Sequence, residues 1–261
     1  QQEIQIVVPT VEPTPETTLD MYADGDETTT DVWCEDHEYF STSHLNLWNN
    51  DISKIEGLKK FPNLLRLTLS SNELKNLRGI NDSSSIRWLD ASNNDVNSLE
   101  GLGGMPSLEW LDLHNNEFKN LIGMGTLPQL TFLNMRHSDL TRLDGIGRLL
   151  PRIRYLDLSS NDLVSVAGLE KCVYLTEINL NFNDLQHYQE VDRLLRLPYL
   201  ARLDLSNNKF SKAAILNLKD KAARVNPKLT LVFDSGEAGV EAGKAGAGAD
   251  PSAGGACCTL Q

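Results

Sequence analysis

No lysine or arginine occurs in the first 53 residues, and that absence sets the charge of the whole chain. Twelve acids lie there, while residues 54–261 hold 24 acids and 24 bases and are neutral, so the formal net charge of −12 belongs to the N-terminal segment. A phosphate backbone is gripped by a basic footprint, so no nucleic acid is expected as partner. Long apolar runs are missing too: none approaches the ~18 residues of a membrane span. Cysteine is sparse, and Cys172 falls at the same position of a recurring pattern as Phe61, Met105, Leu127 and Leu150, which makes it a small buried hydrophobe. No cysteine framework remains to staple the ends of the chain, and no secretory signal is visible; both point to a reducing, intracellular setting. The sequon Asn81-Asp82-Ser83 reads as an unmodified turn.

Chemistry-bearing motifs are equally scarce. There is no glycine-rich phosphate loop, zinc spacing or paired-carboxylate constellation. Cys34-Glu35-Asp36-His37 with His44 offers two candidate ligands on one turn, a weaker signal than a capping helix. His114 and His137 sit one repeat apart without a nucleophile or ligand set that spacing would enforce. The chain is therefore expected not to be an enzyme, with no metal and no cofactor.

What is present is repetition. L-x-L-x-x-N recurs as Leu45/Leu47/Asn50, Leu67/Leu69/Asn72, Leu89/Ala91/Asn94, Leu111/Leu113/Asn116, Leu133/Met135/Ser138, Leu156/Leu158/Asn161, Ile178/Leu180/Asn183 and Leu203/Leu205/Asn208. The marker positions are separated by 22, 22, 22, 22, 23, 22 and 25 residues. A period of 20–29 with this signature identifies leucine-rich repeats. The expected fold is α/β: a right-handed horseshoe solenoid of about eight repeats with terminal caps and a parallel β-sheet on the concave face.

Each Leu-x-Leu should be a short strand with its leucines inward. The Asn amide then satisfies backbone groups where the strands end, forming a ladder along the array. A second apolar pair follows, as in Ile52/Ile55 and Leu74/Leu77, then a glycine column from Gly57 to Gly168. With about 22 residues per unit, the convex side has room only for 3₁₀ or single-turn helices. Ser138 should give a weaker rung, and the longer seventh repeat, Gln186–Asp192, a longer convex helix or bulge.

Around the array, residues 1–30 read as an acidic disordered arm. Residues 31–44 read as an N-terminal cap, with Val32, Trp33, His37 and Phe40 at helical spacing behind Asp31. The repeats occupy 45–210. Residues 211–234 form a C-terminal cap: Ser211 caps a helix with Ile215, Leu218, Ala222 and Val225 on one face, Pro227 ends it, and Leu229–Phe233 is a final strand. Residues 235–261 are a flexible tail with seven Gly and seven Ala between Gly236 and Ala256.

The residue before each Leu-x-Leu points out of the concave sheet. That register collects His44, Arg66, Trp88, Trp110, Phe132, Tyr155, Glu177 and Arg202, with four aromatics on consecutive rungs. Neighbouring columns hold Asp90, Asp112, Asn134, Asp157, Asn179 and Asp204, then Trp48, His114 and Arg136. Aromatics also suit strands and stack on one another. Exposed and rimmed by charge, however, they mark a partner-binding face.

The last four residues, Cys258-Thr259-Leu260-Gln261, fit the C-a-a-X prenylation pattern, and the final Gln favours farnesyl. One lipid gives only marginal anchoring. Only Lys244 is basic after Lys228, so palmitoylation of the adjacent Cys257 is the expected second signal, placing the protein on the cytoplasmic face of a membrane.

Asn50-x-Ile52-x-x-Ile55-Glu56-Gly57-Leu58 and Asn94-x-Val96-x-x-Leu99-Glu100-Gly101-Leu102 resemble the 22-residue repeats of the regulatory leucine-rich-repeat subunit of protein phosphatase 1. Similar units occur in axonemal leucine-rich-repeat light chains and bacterial internalins. The resemblance covers residues 45–208 and implies a non-enzymatic adaptor whose concave face grips a folded protein, the phosphatase catalytic subunit among the candidates; the chain itself is expected to be a monomer. Two alternatives stay open: a structural or assembly component of axoneme or cytoskeleton without a lipid anchor, and a bacterial surface adhesin.

Overall fold

The computed structural model describes residues 5–6, 18–20, 31–32 and 41–234. Every Leu-x-Leu contributes a three-residue strand that begins one position before its first Leu: β4 (His44–Asn46), β5 (Arg66–Thr68), β6 (Trp88–Asp90), β7 (Trp110–Asp112), β8 (Phe132–Asn134), β9 (Tyr155–Asp157), β10 (Glu177–Asn179) and β11 (Arg202–Asp204). A ninth, β12 (Thr230–Val232), follows from the C-terminal cap. All nine pair in parallel and in chain order. The sheet is open, a curved wall with one strand per repeat.

The central residue of each repeat strand has its side chain almost wholly buried, from Leu45 to Leu203. These leucines join the second apolar pair of each repeat in one continuous core reaching from Leu45 to Ala222. Each fully buried Leu or Ile contributes roughly 1.5–3 kcal/mol. No single repeat could hold such a face alone, because both its sides would be open to water.

On the convex side the short period leaves room only for tight turns of helix, as expected. Leu58–Lys60, Ile80–Asp82 and Leu169–Lys171 are 3₁₀ segments, and Ile146–Leu149 is a single α-turn. The longer seventh repeat holds a helix, Tyr188–Asp192, and a 3₁₀ segment, Leu194–Arg196. Gly101 shows why glycine recurs ahead of these turns. Its φ is +111°, and a Cβ there would lie 1.8 Å from the Leu77 carbonyl oxygen of the preceding repeat.

The asparagine ladder is bonded in both directions. Asn94 Nδ2 donates to the carbonyls of Leu69 and Ser92, at 2.9 and 3.0 Å, while Asn94 Oδ1 accepts from Leu74 N–H at 3.0 Å. Asn116, Asn161 and Asn183 repeat the scheme. Ser138, wholly buried, keeps half of it. Its hydroxyl donates weakly toward Leu113 or Arg136, at 3.4 and 3.3 Å. Phe118 N–H, which stands where Leu74 and Val96 donate to their ladder amides, has no acceptor among the described residues.

The C-terminal end is sealed by a helix, Lys212–Val225, whose Ser211 cap accepts from Ala214 N–H at 3.2 Å. Ala214, Leu218 and Ala222 are the buried stripe, while Val225, expected on that face, is exposed. At the other end, Thr18–Asp20 (β2) pairs in parallel with β4, aligning Leu19 with Leu45, and becomes the tenth strand of the sheet. Those three residues lie inside the arm read as disordered. Asp31–Val32 (β3) pairs with Gln5–Ile6 (β1), so Asp31 is a strand residue there and not a helix cap. Residues 33–40, where the N-terminal capping helix is expected, and the tail with Cys257 and Cys258 lie outside the described residues.

Candidate functional site

Parallel pairing in register makes the outward columns real lines of side chains. His44, Arg66, Trp88, Trp110, Phe132, Tyr155, Glu177 and Arg202 are successive Cα partners across the sheet. The four aromatics stack. Ring centroids are 4.3 Å apart for Trp88–Trp110, 4.9 Å for Trp110–Phe132 and 4.6 Å for Phe132–Tyr155, with interplanar angles of 8°, 8° and 2°. Arg66 covers the free face of Trp88, its Cζ 6.0 Å from the ring centre. Beyond Tyr155 stands Glu177, ion-paired to Arg202 at 3.3 Å. Ring faces are therefore occupied by one another, and ring edges are what the concave side presents. Each stacked pair adds about 0.5–1.5 kcal/mol beyond burial. The rings are thus rigid before any partner arrives.

The second column carries more structural duty than its sequence suggests. Asp90 Oδ1 accepts from Ser92 N–H and Oγ–H at 3.0 and 2.6 Å. Asp157 and Asp204 do the same with Ser159 and Ser206. Asp112 holds His114 instead, through the backbone N–H at 3.0 Å and the ring Nδ1 at 2.7 Å. The outer oxygens of Asp112 and Asp157 accept from Asn134 and Asn179 on the next rung, at 3.1 and 3.0 Å. These carboxylates fasten the turns where strands end and carry the face's negative charge; Asp90 alone among the four keeps an oxygen without a hydrogen-bond partner among the described residues, since the second oxygen of Asp204 accepts from Arg202.

Two titrations follow from this packing. The hydrogen bond to Asp112 raises the pKa of His114 above 6.5 against the opposing effect of burial, with the Asp112 and Asp90 charges adding to the rise and Arg136 lowering it. Burial, then the charges of Asp157, Glu177 and Asp112, push the Tyr155 hydroxyl up to about 12. His137 lies on the exposed turn one rung on from His114, with φ 55°. Trp48 stands half exposed beyond β4, and Arg136 is exposed beside His114. Cys172 is buried, as its repeat position implies, and burial pushes its thiol up to about 12.

Column reading missed Phe182. The residue before each ladder amide adopts a left-handed backbone: Asn49, Ser71, Asn93, Asn115, His137, Ser160, Phe182 and Asn207, with φ between 52° and 57°. Small polar residues tolerate that region and bulky ones do not. Phe182 sits there with 56% of its surface exposed, on the rim of the concave face. The alignment contained the signal, since seven of eight positions are Asn, Ser or His.

No known family's sequence profile matches the chain, and no curated protein matches it either. Solved structures do. An internalin C2 of Listeria monocytogenes superposes with a TM-score of 0.65 at 20% identity, covering 79% of this chain and 87% of that one. The internalin inlF of the same organism gives 0.64 at 19%, over 76% of this chain and 55% of that one. The fold is a leucine-rich repeat solenoid. TLR13, solved as a complex with ssRNA13, shares it with a TM-score of 0.62 at 19% identity, over 78% of this chain and 30% of that one. The leucine-rich repeat array here spans about half the length of inlF.

Proposed function

We propose that this protein is a non-enzymatic scaffold that holds a folded protein partner against its concave face. The aromatic stack supports the reading: four half-buried rings, locked by mutual contact, lose little freedom on binding. Trp, Tyr and Arg are also the residues that dominate interface energies. Around the stack, Arg66, Arg136 and Arg202 face Asp90, Asp112, Asp157, Glu177 and Asp204, an acidic balance that disfavours an RNA ligand of the kind TLR13 carries. The stack also stabilises the fold, and the experiment must separate the two roles. Affinity capture with wild type, Trp110→Ala, and the convex-side control Ile122→Ser does so. The expected result is partner loss for Trp110→Ala, roughly 30-fold in affinity, with the control unchanged. Capture unaffected by Trp110→Ala overturns the reading.

The 22-residue units make the catalytic subunit of protein phosphatase 1 the partner to try first, with the chain as its regulatory subunit. Purified phosphatase retained by wild type and released by Trp110→Ala is the supporting outcome.

Farnesylation of Cys258 and palmitoylation of Cys257 would tether the scaffold to the cytoplasmic face of a membrane. No helix among the described residues is long and apolar enough to cross one. Gln261 must then be the last residue before processing, and the mass of the C-terminal peptide tests this together with the lipid. Cys258→Ser is expected to move the protein into the soluble fraction. An unmodified peptide favours the assembly-component alternative.

A further inference from the structure

The bases absent from the N-terminal segment are gathered at the opposite end. Residues 193–228 hold nine Lys and Arg against Asp204 and Asp220, a net of +7 in a chain of net −12. Four of the nine are neutralised within the fold: Arg202 by Glu177 and Asp204, Lys209 by Asp184, Lys221 by Asp192 and Arg224 by Asp220. Arg193, Arg196, Lys212, Lys219 and Lys228 are exposed and form no ion pair among the described residues.

The capping helix Lys212–Val225 organises part of this charge. Its buried stripe closes the last rung. At 100° per residue, the opposite face presents Ala213, Leu216, Asp220 and Ala223. Leu216 is 67% exposed and does nothing for the core. Asp220 adds no free charge to that ridge, because Arg224 pairs with it one turn on, at 2.6 Å. Lys212 and Lys219 flank the ridge on one side.

A ridge of Leu216 between two alanines, beside lysines without carboxylate partners (Lys219 rests over the Phe233 ring at 5.6 Å), is the pattern of a helix lying in a lipid interface. The leucine enters the headgroup boundary, and the long basic side chains reach phosphate oxygens. We propose that this C-terminal cap docks on an anionic membrane surface. The chain leaves the cap at Asp234, and Cys257 follows 23 residues later in the sequence. A lipid attached there would hold this same end against the bilayer, and the folded cap would supply the basic second signal that the tail itself lacks.

The inference does not depend on lipidation, so the test uses the full chain purified without it. Flotation with phosphatidylcholine vesicles is compared with flotation on vesicles that also contain phosphatidylserine. Binding is expected only to the anionic vesicles and should weaken as salt is raised. Each neutralised base should lower partitioning about fivefold, so Lys212→Ala with Lys219→Ala lowers it about 25-fold. Leu216→Ser should also weaken binding, while Trp110→Phe, on the concave face, should not. The Lys212, Lys219 and Leu216 variants are surface changes, and circular dichroism melts confirm folding of every variant. Equal binding to both vesicles, or no response to the Lys212, Lys219 and Leu216 variants, overturns the proposal. So does a salt-sensitive oligomer dispersed by those same substitutions, which would assign the cap to the acidic segment of a second copy. Neither result touches the lipidation reading, which the peptide mass decides separately.

Discussion

Phe182 occupies a backbone conformation that its seven counterparts fill with Asn, Ser or His. Replacing it with Asn relieves that strain and should raise stability by about 1 kcal/mol in a denaturant titration. The same substitution should weaken partner capture if the rim contributes to binding. Gain in stability with loss of capture is the signature of a residue held for function. Ser138 is the converse case. Ser138→Asn supplies an acceptor for the buried Phe118 N–H, and an increase of about 1–2 kcal/mol is expected from the same titration. His114 carries a pH dependence. Its folded pKa is raised, so the bond to Asp112 stabilises fully below the unfolded value of about 6.5 and is lost as pH rises through the folded value. Ser92, Ser159 and Ser206 make the equivalent bond with a hydroxyl. Wild type should therefore lose stability between pH 6 and pH 8 relative to His114→Ser, in paired thermal melts. Positions of these residues were legible from the repeat alone; their roles were not. That Asp112 would hold His114, and not a ligand, depends on where the strand ends.

At the scale of elements, repetition did for this chain what local propensity could not. A three-residue strand has too little sequence to be recognised singly. Eight of them at a fixed interval fix the register, and with it the neighbours of Trp110 on both sides. The capping helix was equally readable through Ser211, although Val225 turned outward where Ala214 was buried in its stead. Short elements also make the turns between them unforgiving. Gly101→Ala forces a Cβ against the Leu77 carbonyl and asks a positive φ of an L-residue. A loss of about 2–4 kcal/mol is expected in chemical denaturation, larger than for an exposed Gly→Ala elsewhere. Pairing of β2 with β4 had no repeat to announce it, because Leu19 lies outside the periodic region.

Across the whole molecule, the core extends along one axis, and every rung but the terminal ones leans on two others. Opening should therefore begin at the ends and travel inward. Amide exchange is expected to be slowest around Leu111, Leu133 and Leu156 and faster toward Leu45 and Leu231. Uniform protection along the array would contradict this and indicate a single cooperative unit. Charge is uneven along the chain. The segment through Asp51 carries no base and residues 193–228 carry nine. The acidic end was obvious from composition. The basic end was not, because its residues are dispersed among the leucines of the last repeat and the cap.

The stacked indoles of Trp88 and Trp110 give the scaffold an optical gauge. They are two of only four tryptophans in the chain and lie 4.3 Å apart, nearly coplanar in orientation. Emission and near-ultraviolet dichroism from the pair report on the spacing of β6 and β7, the fourth and fifth strands of the ten counted from β2. A partner that flattens or tightens the concave wall would change that signal without any attached dye, so that occupancy and curvature can be followed in one cuvette.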